Sequence, residues 1–312
     1  MRQYKVTSSH HGQRVDTFLF NELPGIPASV LYKAFRKRSI KVDGQRVKES
    51  FCLASGQTVD IFIPEAYLPP VEKDTESIVP IVYEDDYLLV VSKPQGIPVH
   101  QDRNQEEQIL DRMVQALVRQ RDGNLYRDGF PALCHRLDRN TGGLVVLAKE
   151  PDTLEILLDK FKKHELTKIY HCIVVGVPKA PDRELVGYLK KDSKESRVLV
   201  SATPFKGAER IVTRYRVLKA LGDFSLLEVE LVTGKTHQIR AHLAFEGHPL
   251  VGDGKYGINA VNKALKVKWQ ALWAVRLSFR FTSDAGHLNY LNNVTIEHPQ
   301  IPWEESLKQL FS

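Results

Sequence analysis

The segment HRLDRNTGG (135–143) places a lone carboxylate, Asp138, between two arginines, Arg136 and Arg139. The turn-forming residues Asn140 to Gly143 follow, then an apolar run, LVVLA, that reads as a strand. A guanidinium beside a carboxylate favours its charged form. Such an acid stays ionised when a substrate closes over it, which suits a nucleophile or a base. The same residues could instead form an ion pair that pins a loop. Glycoside hydrolysis needs two acids flanking one bond, and this segment offers one acid among cations.

Other chemistries fit less well. Gly234-Lys235-Thr236 resembles the end of a phosphate loop, but that pattern needs a glycine five residues before Gly234, where Val229 stands. GDGKYG (252–257) lacks dinucleotide-binding spacing and reads as a loop. His237 and His242 are five apart, whereas a zinc-binding helix pair needs four, and there is no Cys-x-x-Cys. No Gly-x-Ser-x-Gly occurs, and Cys134 has no obvious base partner. No metal site is expected.

A chain of 312 residues suffices for two domains, and 42% apolar with 26% charged residues is ordinary for a globular protein. No apolar run approaches the length of a membrane span, and the N-terminus lacks an apolar signal core. Cys52, Cys134 and Cys172 are odd in number and scattered, which suggests a reducing compartment. A cytoplasmic location and no membrane association are expected. The net charge of +6 makes a polyanion a plausible partner.

The charge is concentrated. KAFRKRSIKVDGQRVK (33–48) holds Lys33, Arg36, Lys37, Arg38, Lys41, Arg46 and Lys48 against one acid, Asp43. Val30, Leu31, Ala34 and Phe35 recur at helical spacing, which leaves Lys33, Arg36 and Lys37 on the outer face. IKVDGQRV predicts a hairpin turning at Asp43-Gly44. A solvated charged face is the plainer alternative to a binding surface. PEAYLPPVEKDTESIVP (64–80) reads as a linker or extended arm. Beyond it, Ile109, Met113, Ala116 and Leu117 mark one helical stripe. Leu154, Leu157, Leu158 and Phe161 mark another, with Asp152 as its N-cap. KIYHCIVVG, ERIVTRYRVLKAL, FSLLEVELV and LWAVRLSFRF predict strands, and KTHQIRAHLAFEG a helix ending at Gly247. In KIYHCIVVG, alternation puts Tyr170, Cys172 and Val174 on one face and Ile169, His171 and Ile173 on the other. Together these predict an α+β fold on a mixed, largely antiparallel sheet.

Two resemblances sharpen the reading. QRVDTFLF, SVLYKAFRKRSIKVDGQRVK and LASGQTVDIFIP resemble, in order, the S4-type RNA-binding domain over residues 12–63. HRLDRNTGGLVVLAK, LTKIYHCIVVG and LVTGKTHQIRAHLAFEGHPLVGDGKYG closely resemble the RluA-type pseudouridine synthases, as does the opening loop LLVVSKPQGIPVH. The second resemblance spans about residues 80–282. The family's central motif usually has serine where Gly142 stands, and its third motif has arginine where Lys235 stands.

The resemblance implies a pseudouridine synthase fold with a central cleft (79–312), a linker (66–78) and a small α/β S4-like domain (1–65). It implies that Asp138 is the catalytic aspartate, that Tyr170 stacks on the target base, and that Arg240 pairs with Asp138. Ile239 would shape the uracil pocket, and Arg136 would fill the gap left by the displaced base. His135, Thr141 and His237 are expected at the substrate, and Lys33, Arg36, Lys37, Arg38 and Lys41 at RNA. The implied reaction turns uridine into pseudouridine without cofactor or metal. Asp138 could attack the sugar, attack the base, or assist a glycal route. The expected protein is a monomer acting on structured RNA, with large-subunit ribosomal RNA first and transfer RNA as the alternative. A non-catalytic RNA-binding or ribosome-assembly factor using the same cleft is the reading from another class.

Overall fold

A computed structural model describes residues 2–6, 10–23, 26–63, 79–100, 109–123, 126–127, 129–192 and 195–308. The expected linker at 66–78 lies outside the described residues. The chain divides into two units, Met1–Glu76 and Ser77–Ser312.

In the first unit, Asp43 and Gly44 take φ of 49° and 76° and close a two-residue hairpin. Positive φ at both central positions matches the twist of the flanking strands, and an Asp-Gly pair tolerates it. The elements are β1 (Arg2–Lys5), α1 (Val15–Glu22), α2 (Ala28–Arg36), β2 (Ile40–Val42), β3 (Gln45–Arg46) and β4 (Thr58–Ile61). The strands form an antiparallel sheet in the order β1-β4-β2-β3. Phe18 and Leu19 of α1 and Leu31 and Phe35 of α2 pack with Ile40, Val59 and Ile61 in one core. Lys33, Arg36, Lys37 and Arg38 are exposed, and the half-buried Lys41 lies 5.6 Å over the Phe62 ring.

The second unit contains β5 (Ile81–Glu84), β6 (Leu88–Lys93), α3 (Leu110–Asp122), β7 (Ala132–Leu133), β8 (Gly142–Ala148), α4 (Pro151–Lys162), β9 (Leu166–Val175), β10 (Asp182–Asp192) and β11 (Arg197–Ser201). It continues with β12 (Glu209–Leu221), β13 (Phe224–Leu231), α5 (Gln238–Phe245), α6 (Asn259–Ala264), β14 (Leu272–Phe279), β15 (Thr295–Glu297) and α7 (Glu305–Lys308). The main sheet runs β11-β10-β12-β13-β9-β14-β8-β6-β5, with β15 on β14 and β7 on β8. Only β14–β8 is parallel among the described pairings, so the α+β fold has a mixed, largely antiparallel sheet. No described helix is long and apolar enough to cross a membrane.

Strand β9 carries the expected alternation. Tyr170, Cys172 and Val174 enter one core, while Ile173 and Ile169 enter separate clusters on the other face. Both faces are covered, so the strand is apolar almost throughout. Two helices are rotated from their expected faces. α3 buries Leu110, Val114 and Val118, leaves Met113 and Leu117 half-buried, and exposes Ala116. An i, i+4, i+8 row of branched residues competes with the expected stripe, and the sheet covers that row. On α4, Leu157 is buried but Leu158 is 48% exposed. The inward positions are shared with Thr153 and Lys160, and Lys160 pairs with buried Glu165 at 3.0 Å. Asp152 lies in the first turn, and the N-cap position belongs to Glu150.

Gly142 and Gly143 let β8 meet β14. Their partners across the parallel pair are Trp273 and Ala274. A β-carbon on Gly142 would sit 2.6 Å from the Trp273 ring, and one on Gly143 would sit 2.2 Å from the Ala274 carbonyl oxygen. The serine usual in the resembling family therefore has no room opposite this tryptophan. Gly142→Ser is expected to lose about 1–3 kcal/mol of stability through overpacking. Combining it with Trp273→Leu is expected to cost less than the sum of the two single changes in denaturant titrations; additive losses contradict the clash.

Candidate active site

The loop that carries Asp138 is held from below. Lys93, fully buried at the end of β6, donates from its Nζ to the carbonyl oxygens of Pro94 (2.9 Å), Ile97 (2.8 Å) and Arg139 (2.8 Å). Three N–H donors thus meet three acceptors. Burial pushes the ammonium's pKa down to about 7, against the pull of the Asp138 charge. Gln95 donates to the carbonyls of Asn140 (3.0 Å) and Gln270 (2.7 Å), and Gln270 donates to the Thr141 hydroxyl (2.7 Å). The Thr141 N–H closes the turn on the Asp138 carbonyl at 3.0 Å.

Helix α5 delivers the partner. Its start is fixed by buried Gln238, which donates to the Val212 carbonyl (3.0 Å) and the Thr213 hydroxyl (3.0 Å) and accepts from Thr233 and the Lys235 N–H. Arg240 follows with only 7% of its side chain exposed. Its Nη1 donates to Asp138 Oδ2 at 2.8 Å. Nε and Nη2 fork onto Asp253 Oδ2 and Oδ1 at 2.7 and 2.9 Å. Asp253 is wholly buried and also accepts the N–H groups of Lys255 (2.8 Å) and Tyr256 (3.1 Å). Burial opposes the charge on Arg240, but Asp253 and Asp138 outweigh it and raise its pKa. Burial likewise opposes the charge on Asp253, and the Arg240 hydrogen bonds overcome that and hold its pKa below the carboxylate range. Asp138 itself remains 24% exposed, open to the cavity.

That cavity, of about 440 Å³, brings together every expected catalytic and substrate residue: His135, Arg136, Asp138, Thr141, Tyr170, His237, Ile239 and Arg240. Leu137, Tyr170, Ile239 and Leu272 make its apolar wall. Burial, then the charge on Asp138, raises the pKa of Tyr170, so it stays a neutral phenol. His237 adopts φ 55° and ψ 15° at the head of α5, with Nδ1 2.9 Å from the Tyr256 hydroxyl. That hydroxyl oxygen also accepts the Val198 N–H at 2.9 Å, which ties the His237 ring to β11 through Tyr256. Nε2 faces Asp138 Oδ2 at 4.0 Å, and burial lowers the ring's pKa to about 4. His135 is tied into the wall, its Nε2 accepting the Val146 N–H at 3.0 Å. Arg136 is exposed at the cavity's lip.

Sequence reasoning read 252–257 as a loop and missed Asp253 and Tyr256, which hold Arg240 and His237. It also missed Lys93 and Gln270. The only sequence signal for Asp253 is its place in the segment that carries the family resemblance. His242 is fully buried, its Nδ1 3.1 Å from the Thr213 hydroxyl.

Residues 87–245 match the family described as RNA pseudouridylate synthase. The ribosomal large subunit pseudouridine synthase C of Vibrio cholerae is 33% identical over 262 residues, covering 79% of this chain and 77% of the relative. Its namesake from Escherichia coli K12 is 30% identical over 276 residues, covering 83% and 81%. Among solved structures, human RNA pseudouridylate synthase domain containing 4 aligns with a TM-score of 0.52 and 26% identity over 63% of this chain and 82% of that one. Human RNA pseudouridylate synthase domain containing 1 shares the fold, with a TM-score of 0.53 over 77% and 96% of the two chains at 24% identity. The chain belongs to the pseudouridine synthase family, of RluA type, and is an RNA-modifying isomerase.

Removing the anchor tests how the pair is held. Asp253→Asn is expected to lose about 3–5 kcal/mol at neutral pH, because it strands a buried guanidinium. Because the folded-state pKa of Asp253 is depressed, its contribution is present above the unfolded value near 4 and is lost as pH falls further. The gap between parent and variant is therefore expected to narrow below about pH 4 in denaturant titrations. A gap unchanged between pH 7 and pH 3 contradicts the pairing.

Proposed function

We propose that Asp138 is the carboxylate that reacts with a uridine extruded from structured RNA, most directly one in large-subunit ribosomal RNA. The observation that carries the assignment is the Asp138–Arg240 pair at 2.8 Å, opening onto a cavity walled by Tyr170 and Ile239. Isomerisation breaks the N1–C1′ bond, turns the uracil and joins C5 to C1′. The base must leave its stack to be reached, at a cost of a few kcal/mol. Arg136 at the lip is placed to stack or contact phosphate in the vacated position and offset part of that cost. The detached ring then needs an enclosure in which to turn. Tyr170 offers an aromatic face, and Ile239 and Leu272 offer apolar sides.

Arg240 orients the carboxylate and is itself fixed by Asp253, so the pair is preorganised before substrate arrives. Neutral His237 places its Nε2 4.0 Å from the same oxygen. The ribosomal target is supported by the large-subunit names of relatives 30–33% identical over most of the chain. The first unit, with Lys33 and Arg36 exposed on α2 and Lys37 and Arg38 exposed just beyond it, serves as an S4-like RNA grip that holds phosphates and shape.

Asp138→Asn is expected to abolish pseudouridine formation while leaving RNA affinity within about twofold, since it removes charge but little shape. Near-parental turnover overturns the assignment. Neutralising Lys33, Arg36 and Lys37 together is expected to flatten the dependence of RNA affinity on salt, lowering the log–log slope by up to about 3. Equal slopes in variant and parent contradict the docking face. Chemical mapping of pseudouridine in total RNA, with and without the gene, tests the target; a lost modification in transfer RNA alone overturns the ribosomal reading.

A further inference from the structure

Among the described residues, one half-buried lysine in the cavity wall has no counterpart. Lys168 precedes Tyr170 by two residues on β9, so both side chains leave the same face of the strand, and both line the cavity. The lysines that are buried near this core are answered, whereas Lys168 is half-buried. Lys93 has its three carbonyls, Lys160 has Glu165 and Ser283, and Lys149 has Glu84 and the Asp85 carbonyl. Lys168 has no hydrogen-bond or ion-pair partner among the described residues, and burial lowers its pKa. Its titratable neighbour His135 offers no negative charge, since burial and then the Lys168 charge hold that ring neutral with a pKa of about 3. Gly234 leaves the ammonium open, because a β-carbon there would come within 3.3 Å of Lys168 Nζ.

We propose that Lys168 is a phosphate-binding residue of the active site, its ammonium taking a non-bridging oxygen of a phosphate that flanks the extruded uridine while Tyr170 packs on the ring. The proposal rests on the assignment of the cavity to that uridine. Two residues of strand advance about 7 Å, comparable to the reach from a pyrimidine ring to the phosphates of its own nucleotide. A lone, partly desolvated cation costs the free protein stability. An arriving phosphate supplies a charge-assisted hydrogen bond in a site where water competes weakly. Alternate positions on one strand would then index the base and the backbone together.

The test uses the full-length protein with Lys168→Met and Lys168→Arg. The substrate RNA carries either native linkages or a single neutral methylphosphonate on the 5′ or the 3′ side of the target uridine. On native RNA, Lys168→Met is expected to weaken Kd at least tenfold, with a smaller change in single-turnover rate, and Lys168→Arg to retain most of the parental affinity. At one of the two linkages, the methylphosphonate is expected to weaken the parent at least tenfold and to leave Lys168→Met unchanged. Thermal unfolding of Lys168→Met without RNA is expected at or above the parental temperature. Methylphosphonate losses equal in parent and Lys168→Met at both linkages overturn the proposal. So does a Lys168→Met chain that unfolds several degrees lower or fails to fold, which would make the lysine structural. Failure of the parent to modify native RNA would instead strike the assignment of the cavity.

Discussion

The site depends on one guanidinium shared between two acids. Arg240 lies almost wholly out of water, and such a charge is tolerable only when its donors are answered. Asp253 answers two of them in a planar fork and Asp138 answers a third. The arrangement is directional: the wholly buried acid fixes the arginine, and the arginine fixes the acid that faces the cavity. Lysine could not do this, because a point charge offers no rigid fork to transmit orientation from one carboxylate to the other. The Lys93 and Gln270 contacts hold the opposite side of the loop, so Asp138 is constrained from both directions.

Asp138 is the one carboxylate among the described residues that line this cavity, where Arg136, Lys162, Lys168 and Lys235 join Arg240. Burial keeps His135 and His237 as neutral rings and Tyr170 as a phenol. The apolar wall of Leu137, Ile239 and Leu272 lowers the local dielectric, which strengthens the interactions that remain. The same sheet that makes this wall also fixes the spacing of Lys168, Tyr170 and Cys172 along one face of β9.

Much of this was legible in the residues. The Asp43-Gly44 turn and the alternation on β9 follow from local rules and occur where those rules put them, and α5 stops at Phe245, two residues before Gly247 with its positive φ. The candidate site residues fall on one cavity because the family resemblance supplied their association; spacing alone left Asp138 as either a reactive acid or a loop pin. Asp253 was invisible because its role arises from a contact with a residue 13 positions away across a tertiary fold. The faces of α3 and α4 were misjudged for a related reason. α3 offers two apolar rows and its packing decides between them, whereas α4 turns Thr153 and Lys160 inward because Glu150 and Glu165 answer their polar groups. Lys93 and Lys160 look like surface cations in sequence, and the fold buries both with matched acceptors. Gly142 looked like a loss of the family's serine, whereas the Trp273 ring occupies the room a side chain would need.

The most direct measurement is a crystal structure of the Asp138→Asn chain bound to the uridine-bearing stem-loop that mapping identifies. The account requires the target nucleotide swung out of its helix, its uracil against Tyr170, and the amide of residue 138 in contact with C1′ or the pyrimidine ring while still joined to Arg240. A target uridine left stacked in its helix, or lodged elsewhere with residue 138 facing only protein, contradicts it.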